Sequence, residues 1–470
     1  DRMFAESGDF NSIKNNKKSY FNTLVRNNPE SDVIKSRINN WIGYGDRNDN
    51  LVYLGVADAA LSSPHVVNRG DWLYLKAYIE ETYNRNHSRA LKFVRQALDH
   101  SFSREEMRHD AELMQHCLSA EQGELRSDLR YYIENLHNDN AIYFYIVPAL
   151  LKQGRTSEAI LLANYASASE GAHCYDDGCS LINGSYNRYE VPDNTYANTG
   201  FQLMLSRSAK EIAAYSKFLK SDSALVKEVI GRIRHDDDYL NEIIGTLYLR
   251  EGNYGKAAEY LAQVSPDYQK NLNVYKCGYL SDNPWVNCYM PQDKWEYPSS
   301  DDNAVHDRQS IPASFNPANS SLLESDENAK LNFALEMSRL EGVMKSGNPD
   351  ERGLARIRYA FARFNSFYSC WALTQYWRGN ANQCNYQPIY WLWNGESRTL
   401  DYLKELTGQI PDQKWVDAQI KTGMKELQSP EALAEALFLT GNYKLVAKKY
   451  PHSSVGQYLS THCDAWNNWL

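Results

Sequence analysis

The sequence lacks both a long apolar run and an excess of basic residues. Its most apolar segment, residues 141–151, contains Pro148 and two tyrosines and falls short of the roughly 20 residues that a membrane helix needs. The 470 residues include 50 Lys and Arg against 59 Asp and Glu, which gives a net charge of −9. Binding to nucleic acid depends on a basic face that neutralises phosphates. The sequence therefore predicts no membrane span and no nucleic-acid partner.

The common catalytic motifs are also missing. The chain contains no GxGxxG, no phosphate-binding loop that ends in GK[ST], no HExxH and no GxSxG. None of its cysteines form the CxxC spacing of a tight zinc site. His109 and His116 share one helix face but lie two turns apart, about 10.5 Å, which is too far for one metal ion. The sequence predicts no catalytic residue, no metal site and no cofactor.

Phenylalanine is scarce at 14 residues, whereas tyrosine numbers 34 and tryptophan 11. Tyr and Trp combine a flat apolar body with one polar tip, which suits interaction surfaces and sugar-stacking clefts as well as seams between helices near solvent. Six of these aromatic residues lie in irregular segments and are candidates for contact with a partner or a glycan: Trp285, Tyr289, Trp295, Tyr297, Trp391 and Trp393. The alternative is that they fix those segments onto the rest of the protein.

Proline is absent from three long stretches, residues 65–147, 193–265 and 350–387. Because proline interrupts helix interiors, these stretches permit long helices, and apolar residues recur in them at intervals of three and four. No run of alternating apolar and polar residues indicates strands. Five prolines crowd residues 270–325 instead, which indicates a long irregular segment. The predicted fold class is all-α, with irregular insertions.

The eight cysteines include three pairs that are close in sequence. An even number of cysteines in close pairs favours disulfides and an oxidising compartment, although buried thiols in a cytosolic protein are the alternative. The candidate pairs are Cys174 with Cys179, Cys277 with Cys288 and Cys370 with Cys384. The two remaining cysteines, Cys117 and Cys463, lie far apart in the sequence and are also possible disulfide cysteines.

One segment, residues 243–264, has the spacing of a hairpin of two helices. Small residues stand where the helices would touch, a glycine stands where the first helix would end, and larger residues fill the seam: Gly245, Tyr248, Gly252, Tyr254, Ala257 and Leu261. Fainter copies place Gly154 with Ala159, and Gly441 with Tyr443, at equivalent positions. A weaker copy has Arg85 at the turn in place of glycine.

This pattern resembles the tetratricopeptide repeat (TPR). The chain as a whole is similar to large, divergent TPR-like proteins of the Gram-negative cell envelope. The resemblance implies a superhelix of helical hairpins that binds other proteins, and a periplasmic or cell-surface location in association with the outer membrane. It leaves open a lipid anchor upstream of Asp1. The irregular insertions depart from a plain array and would cover or replace its usual concave groove.

Five segments are predicted: N-terminal hairpins at 1–168, an irregular insertion at 169–198, TPR-like repeats at 199–269, an aromatic and proline-rich insertion at 270–325, and C-terminal repeats with a capping helix at 326–470. The predicted function is that of a non-enzymatic scaffold or adaptor for a protein partner in an envelope-associated assembly. The alternative is a carbohydrate-binding or carbohydrate-active helical protein with an aromatic-rich cleft. An open superhelix would favour the scaffold. A closed ring of helices with two carboxylates facing each other across a cleft would favour the carbohydrate-active protein.

Overall fold

A computed structural model describes residues 18–36, 38, 50–136, 141–167, 200, 203–204, 206–233, 235–268, 328–366 and 411–461. Within these residues the regular structure is helical and no strand occurs, which confirms the predicted all-α class. The predicted insertions at 169–198 and 270–325 lie outside the described residues. All six candidate aromatic residues also lie outside them, including Trp391 and Trp393.

The described helices are numbered in chain order. Their bounds are α1 Lys18–Asn27, α2 Asn50–Leu61, α3 Arg69–Thr82, α4 His87–Leu98, α5 Glu105–Glu121, α6 Arg130–Asn135, a π-helical turn Ile142–Ile146, α7 Val147–Lys152, α8 Thr156–Ser167, α9 Ala209–Leu219, α10 Ala224–Val229, α11 Asp237–Glu251, α12 Tyr254–Leu261, α13 Ala329–Ser346, α14 Pro349–Asn365, α15 Gln413–Glu426, α16 Pro430–Leu439, α17 Tyr443–Lys449 and α18 Ser454–Thr461.

The chain divides into two compact units. Unit 1 consists of Asp1–Val191 with Asp222–Ile233, and unit 2 consists of Pro192–Ser221 with Arg234–Leu470. The region predicted as TPR-like repeats, 199–269, is therefore shared between the units. No helix of the described part is long and apolar enough to cross a membrane, as the sequence predicts.

In unit 1, successive helices pack against one another along the chain. The main packed pairs are α1 with α2, α2 with α3, α3 with α4, α4 with α5, and α7 with α8. Helix α4 shows the reason for this packing. It buries one stripe of residues at helical spacing, while its opposite face is polar. The buried stripe consists of Ala90, Leu91, Val94 and Ala97. The shared core of α1 to α5 includes Tyr53, Trp72, Val94 and Met114.

In unit 2 the same neighbour-to-neighbour packing continues. Helix α11 packs on α9 and α12, α13 packs on α12 and α14, and α14 packs on α15 and α16. The backbones of α14 and α15 approach closely at two glycines. A Cβ atom at Gly353 would lie 2.6 Å from the carbonyl oxygen of Gly423, and one at Gly423 would lie 2.7 Å from the carbonyl oxygen of Gly353.

Tight turns with a left-handed residue separate the helices of four hairpins. The left-handed residues are Arg85 (φ 52°), Gly154 (φ 72°), Gly252 (φ 75°) and Gly441 (φ 77°), the four positions that the repeat pattern aligns. After Gly252, the backbone N–H of Asn253 donates to the carbonyl of Tyr248 at 2.9 Å, and the Asn253 side chain accepts from the N–H of Lys256. One helix is thus closed and the next one capped within two residues.

The remaining repeat positions lie in the hairpins as follows. A Cβ atom at Gly245 in α11 would come within 2.5 Å of Leu261 Cγ in α12, so the absence of a side chain lets these helices meet. Tyr254, Ala257 and Leu261 are buried, and Tyr248 lies beside Tyr260 with ring centroids 5.7 Å apart. In the fainter copies, Ala159 is buried in α8, and Tyr443 contacts Phe438 edge-on.

We expect Gly252→Ala to destabilise the protein by about 1–2 kcal/mol, because an alanine at this positive φ is strained whatever space surrounds it. The matched control is Gly255→Ala, three residues later in α12, where a Cβ atom has no neighbour within 4 Å. Gly255→Ala should stabilise the protein by up to about 1 kcal/mol. Urea unfolding of both variants measures the difference. Equal effects would count against a left-handed cap at Gly252.

Candidate functional site

Two adjoining cavities open along helix α4 in unit 1. The first has a volume of about 470 Å³ and is lined by Arg85, His87, Ser88, Glu121, Gln122 and Lys152, among others. The second has a volume of about 380 Å³ and runs beside Leu91, Lys92, Arg95 and Asp99. Ser88 and Gln122 line both cavities. The two cavities therefore adjoin one another, and we call them together the α4 groove.

The ends of several helices build the first cavity. Asn84 follows α3, Glu121 ends α5 and Lys152 ends α7, so three helix C-termini meet beside the N-terminus of α4. Arg85 turns the chain here in a left-handed conformation, with the N–H of Asn86 donating to the carbonyl of Glu80 at 2.8 Å. A non-glycine residue in this conformation costs of order 1–3 kcal/mol, and it persists where the surrounding structure holds it.

Cationic side chains outnumber carboxylates in the lining of the α4 groove, although the chain as a whole is negative. Four cationic side chains line it, Arg85, Lys92, Arg95 and Lys152, against the two carboxylates of Glu121 and Asp99. The side chains of Lys92 and Lys152 are exposed, and Arg95, which is also exposed, is bonded through Nη2 to Glu124 Oε2 at 2.7 Å. On a protein with a net charge of −9, this local excess of cationic side chains favours anionic groups.

A partly buried hydrogen-bond network connects four elements at the base of the groove. His87 Nδ1 lies 2.7 Å from Glu81 Oε2 and 3.4 Å from Glu121 Oε2. The Tyr145 hydroxyl, from the π-helical turn, donates to the other carboxylate oxygen of Glu81. Only 7% of the Glu81 side chain is exposed, whereas 37% of the His87 side chain is exposed. One imidazole thus joins the ends of α3 and α5 to the start of α4.

The pKa values of His87, Glu121 and Tyr145 are all raised in this network. The hydrogen bond to Glu81 raises the pKa of His87, and the negative charges of Glu81 and Glu121 add to this rise. Burial raises the pKa of Glu121, partly offset by the charge on His87. Burial also raises the pKa of Tyr145, so its hydroxyl remains a donor to Glu81. The charge of the groove therefore increases when His87 takes up a proton.

We expect His87 to stabilise unit 1 most strongly at acidic pH. Because the folded-state pKa of His87 is raised above its ordinary value of 6.5, its stabilisation is fully present below pH 6.5 and is lost as the pH rises through the raised pKa. The melting temperatures of wild type and His87→Gln should therefore converge as the pH is raised from about 5.5 to 8.5.

His100→Gln, which removes an exposed histidine outside this network, is the matched control and should follow the wild-type profile. A difference between wild type and His87→Gln that stays constant across the pH range would contradict the proposed role of His87.

Cys117, one of the cysteines considered for a disulfide, is a free and fully buried thiol in α5. Burial raises the pKa of this thiol, and the charges of Glu81 and Glu121 act in the same direction. That part of the disulfide prediction is wrong, because an even cysteine count carries no information about which thiols lie inside the core. The other seven cysteines lie outside the described residues, and their pairing stays a prediction.

The groove residues were not among the candidates that the sequence predicts. The candidate aromatic residues lie outside the described part of the chain, and His116 contacts the ring of Tyr131 at a centroid distance of 5.1 Å. Among the described residues, no group of three or more His, Cys, Asp and Glu side chains is placed to hold a metal ion. The one local signal at the groove was Arg85, which occupies a repeat turn position that elsewhere carries glycine.

Comparison with known proteins gives no relative for this arrangement. No protein-family model matches the chain, and no curated protein or solved structure shows significant similarity to it. The function must therefore be argued from the hairpins and from the α4 groove.

Proposed function

We propose that the chain is a TPR-like scaffold of stacked helical hairpins that binds a protein partner in an envelope-associated assembly, at the periplasmic or cell-surface side of the outer membrane. The supporting observation is the packing of each unit, in which successive helices contact chiefly their neighbours in the chain. Left-handed residues close four of these hairpins at the aligned repeat positions.

Such packing suits binding rather than enclosure of a substrate. In stacked hairpins each helix buries one stripe against its neighbours and leaves the opposite face available along the array. The polar face of α4, which carries Lys92 and Arg95, is an example. The superhelix, the envelope setting and the partner are parts of this proposal.

The test is capture of partners by the tagged chain from an envelope extract, followed by reconstitution with the captured protein in purified form. The proposal expects a complex of defined stoichiometry by calorimetry and size-exclusion chromatography. A parallel panel of polysaccharides tests the carbohydrate alternative. Retention on a polysaccharide without any reconstituted protein complex would overturn the scaffold proposal.

A further inference from the structure

We propose that the α4 groove binds an extended acidic segment of the protein partner. This inference rests on the proposed function, since it names the chemistry of the partner that the scaffold would hold. It goes further because it assigns the contact to one surface of unit 1 and to the outer face of α4.

The dimensions of the groove fit a short peptide. Helix α4 has 12 residues and is about 18 Å long at 1.5 Å per residue. An extended chain rises about 3.3 Å per residue, so about five residues would span the groove. The side chain of Leu91, which is largely buried, lies in the wall of the second cavity and offers apolar contact beneath the charged rim.

The charges of the groove set the preferred order of side chains in the peptide. Arg85 and Lys152 face the first cavity, and Lys92 faces the second. Asp99 lies at the far end of the second cavity and disfavours an acidic side chain there. A segment with acidic residues near the Arg85 end and a neutral or basic residue near Asp99 matches this distribution.

His87 makes the binding dependent on pH. Its imidazole lines the first cavity, and the charged or titratable groups that face it are Glu81 from α3, Glu121 from α5, Tyr145 from the π-helical turn and Arg85 from the preceding turn. Protonation of His87 adds one positive charge to the groove. Affinity for the acidic segment should therefore be higher at pH 6 than at pH 8, a range in which peptide carboxylates stay ionised.

The experiment uses the full chain and a fluorescein-labelled peptide that carries three consecutive glutamates, with the corresponding triple-glutamine peptide as a comparison. Fluorescence anisotropy should show binding of the glutamate peptide only. Lys92→Glu/Lys152→Glu should weaken this binding at least about tenfold. Lys414→Glu/Lys448→Glu changes the net charge equally at exposed sites in unit 2 and should change affinity less than about twofold.

Several outcomes would overturn the inference. The first is equal binding of the glutamate and glutamine peptides. The second is an equal loss of affinity in the two charge-reversal variants. The third is equally tight binding of an RNA oligonucleotide, which would indicate a general polyanion site. His87→Gln should also remove the dependence of affinity on pH. If the reconstituted partner binds the Lys92→Glu/Lys152→Glu variant as tightly as wild type, the inference fails and the scaffold proposal stands. If the glutamate peptide binds but no protein partner is found, the scaffold proposal fails instead.

Discussion

Replacing Lys330 with methionine should destabilise unit 2 by about 3–5 kcal/mol, since it takes from the buried carboxylate of Glu242 its lysine partner. Lys330 in α13 forms an ion pair with Glu242 in α11, and its Nζ also donates to Thr246 Oγ1 at 2.7 Å. Both charged side chains are almost fully inaccessible to solvent. Burial lowers the pKa of Lys330, and the charge of Glu242 opposes that shift. Methionine keeps much of the volume, so the loss is chiefly electrostatic.

A double variant separates the charge from the packing. In Lys330→Met/Glu242→Gln no charge remains at the pair, so most of the lost stability should return. The surface pair of Lys256 and Glu259, whose side chains are half exposed, supplies the comparison, and Lys256→Met should change stability by less than about 1 kcal/mol. Denaturant unfolding of these variants gives the values. A double variant as unstable as Lys330→Met would show that the loss came from packing.

Gly423→Leu should destabilise the protein by about 3 kcal/mol or more, because the backbones of α14 and α15 meet at this residue. The new Cβ atom would lie 2.7 Å from the carbonyl oxygen of Gly353 and 2.9 Å from Ile357 Cγ1. A carbonyl oxygen within a helix cannot rotate away as a side chain can, so the helices must separate. Separation also exposes part of the core that Ile357, Val416 and neighbouring residues form.

Gly342→Leu in α13 is the matched control, since a Cβ atom there has no neighbour within 4 Å. Leucine favours helix over glycine by about 0.5–1 kcal/mol, so this variant should be slightly stabilised. The midpoints of urea unfolding compare the two. A similar stabilisation in Gly423→Leu would contradict close contact of the two helices at Gly423.

Features that depend on local spacing could be predicted from the sequence. The turn at Gly252 follows from a glycine that ends one helical pattern immediately before an asparagine that caps the next. Arg85 shows the limit of reasoning from residue type, since only its offset from the other copies indicates a left-handed residue there. The all-α class follows from the same local periodicity.

The groove and its network could not be predicted because their residues come from distant parts of the chain. Tyr145 and Glu81 are 64 positions apart, and no spacing rule relates them. The contact of Gly353 with Gly423 is of the same kind: each glycine alone is an unfavourable residue in a helix, and only the crossing explains both. Cys117 shows the reverse error, where a count of residue types was used in place of position in the core.

The neighbour-to-neighbour packing of helices also has a consequence for how the chain folds. When most contacts join segments that are close in sequence, little chain entropy is lost before the contacts form, and folding is fast for the size of the protein. The hairpins α3–α4 and α11–α12 can therefore form early, each within its own unit. A chain emerging from a ribosome would bury apolar surface hairpin by hairpin, before its C-terminal residues are available.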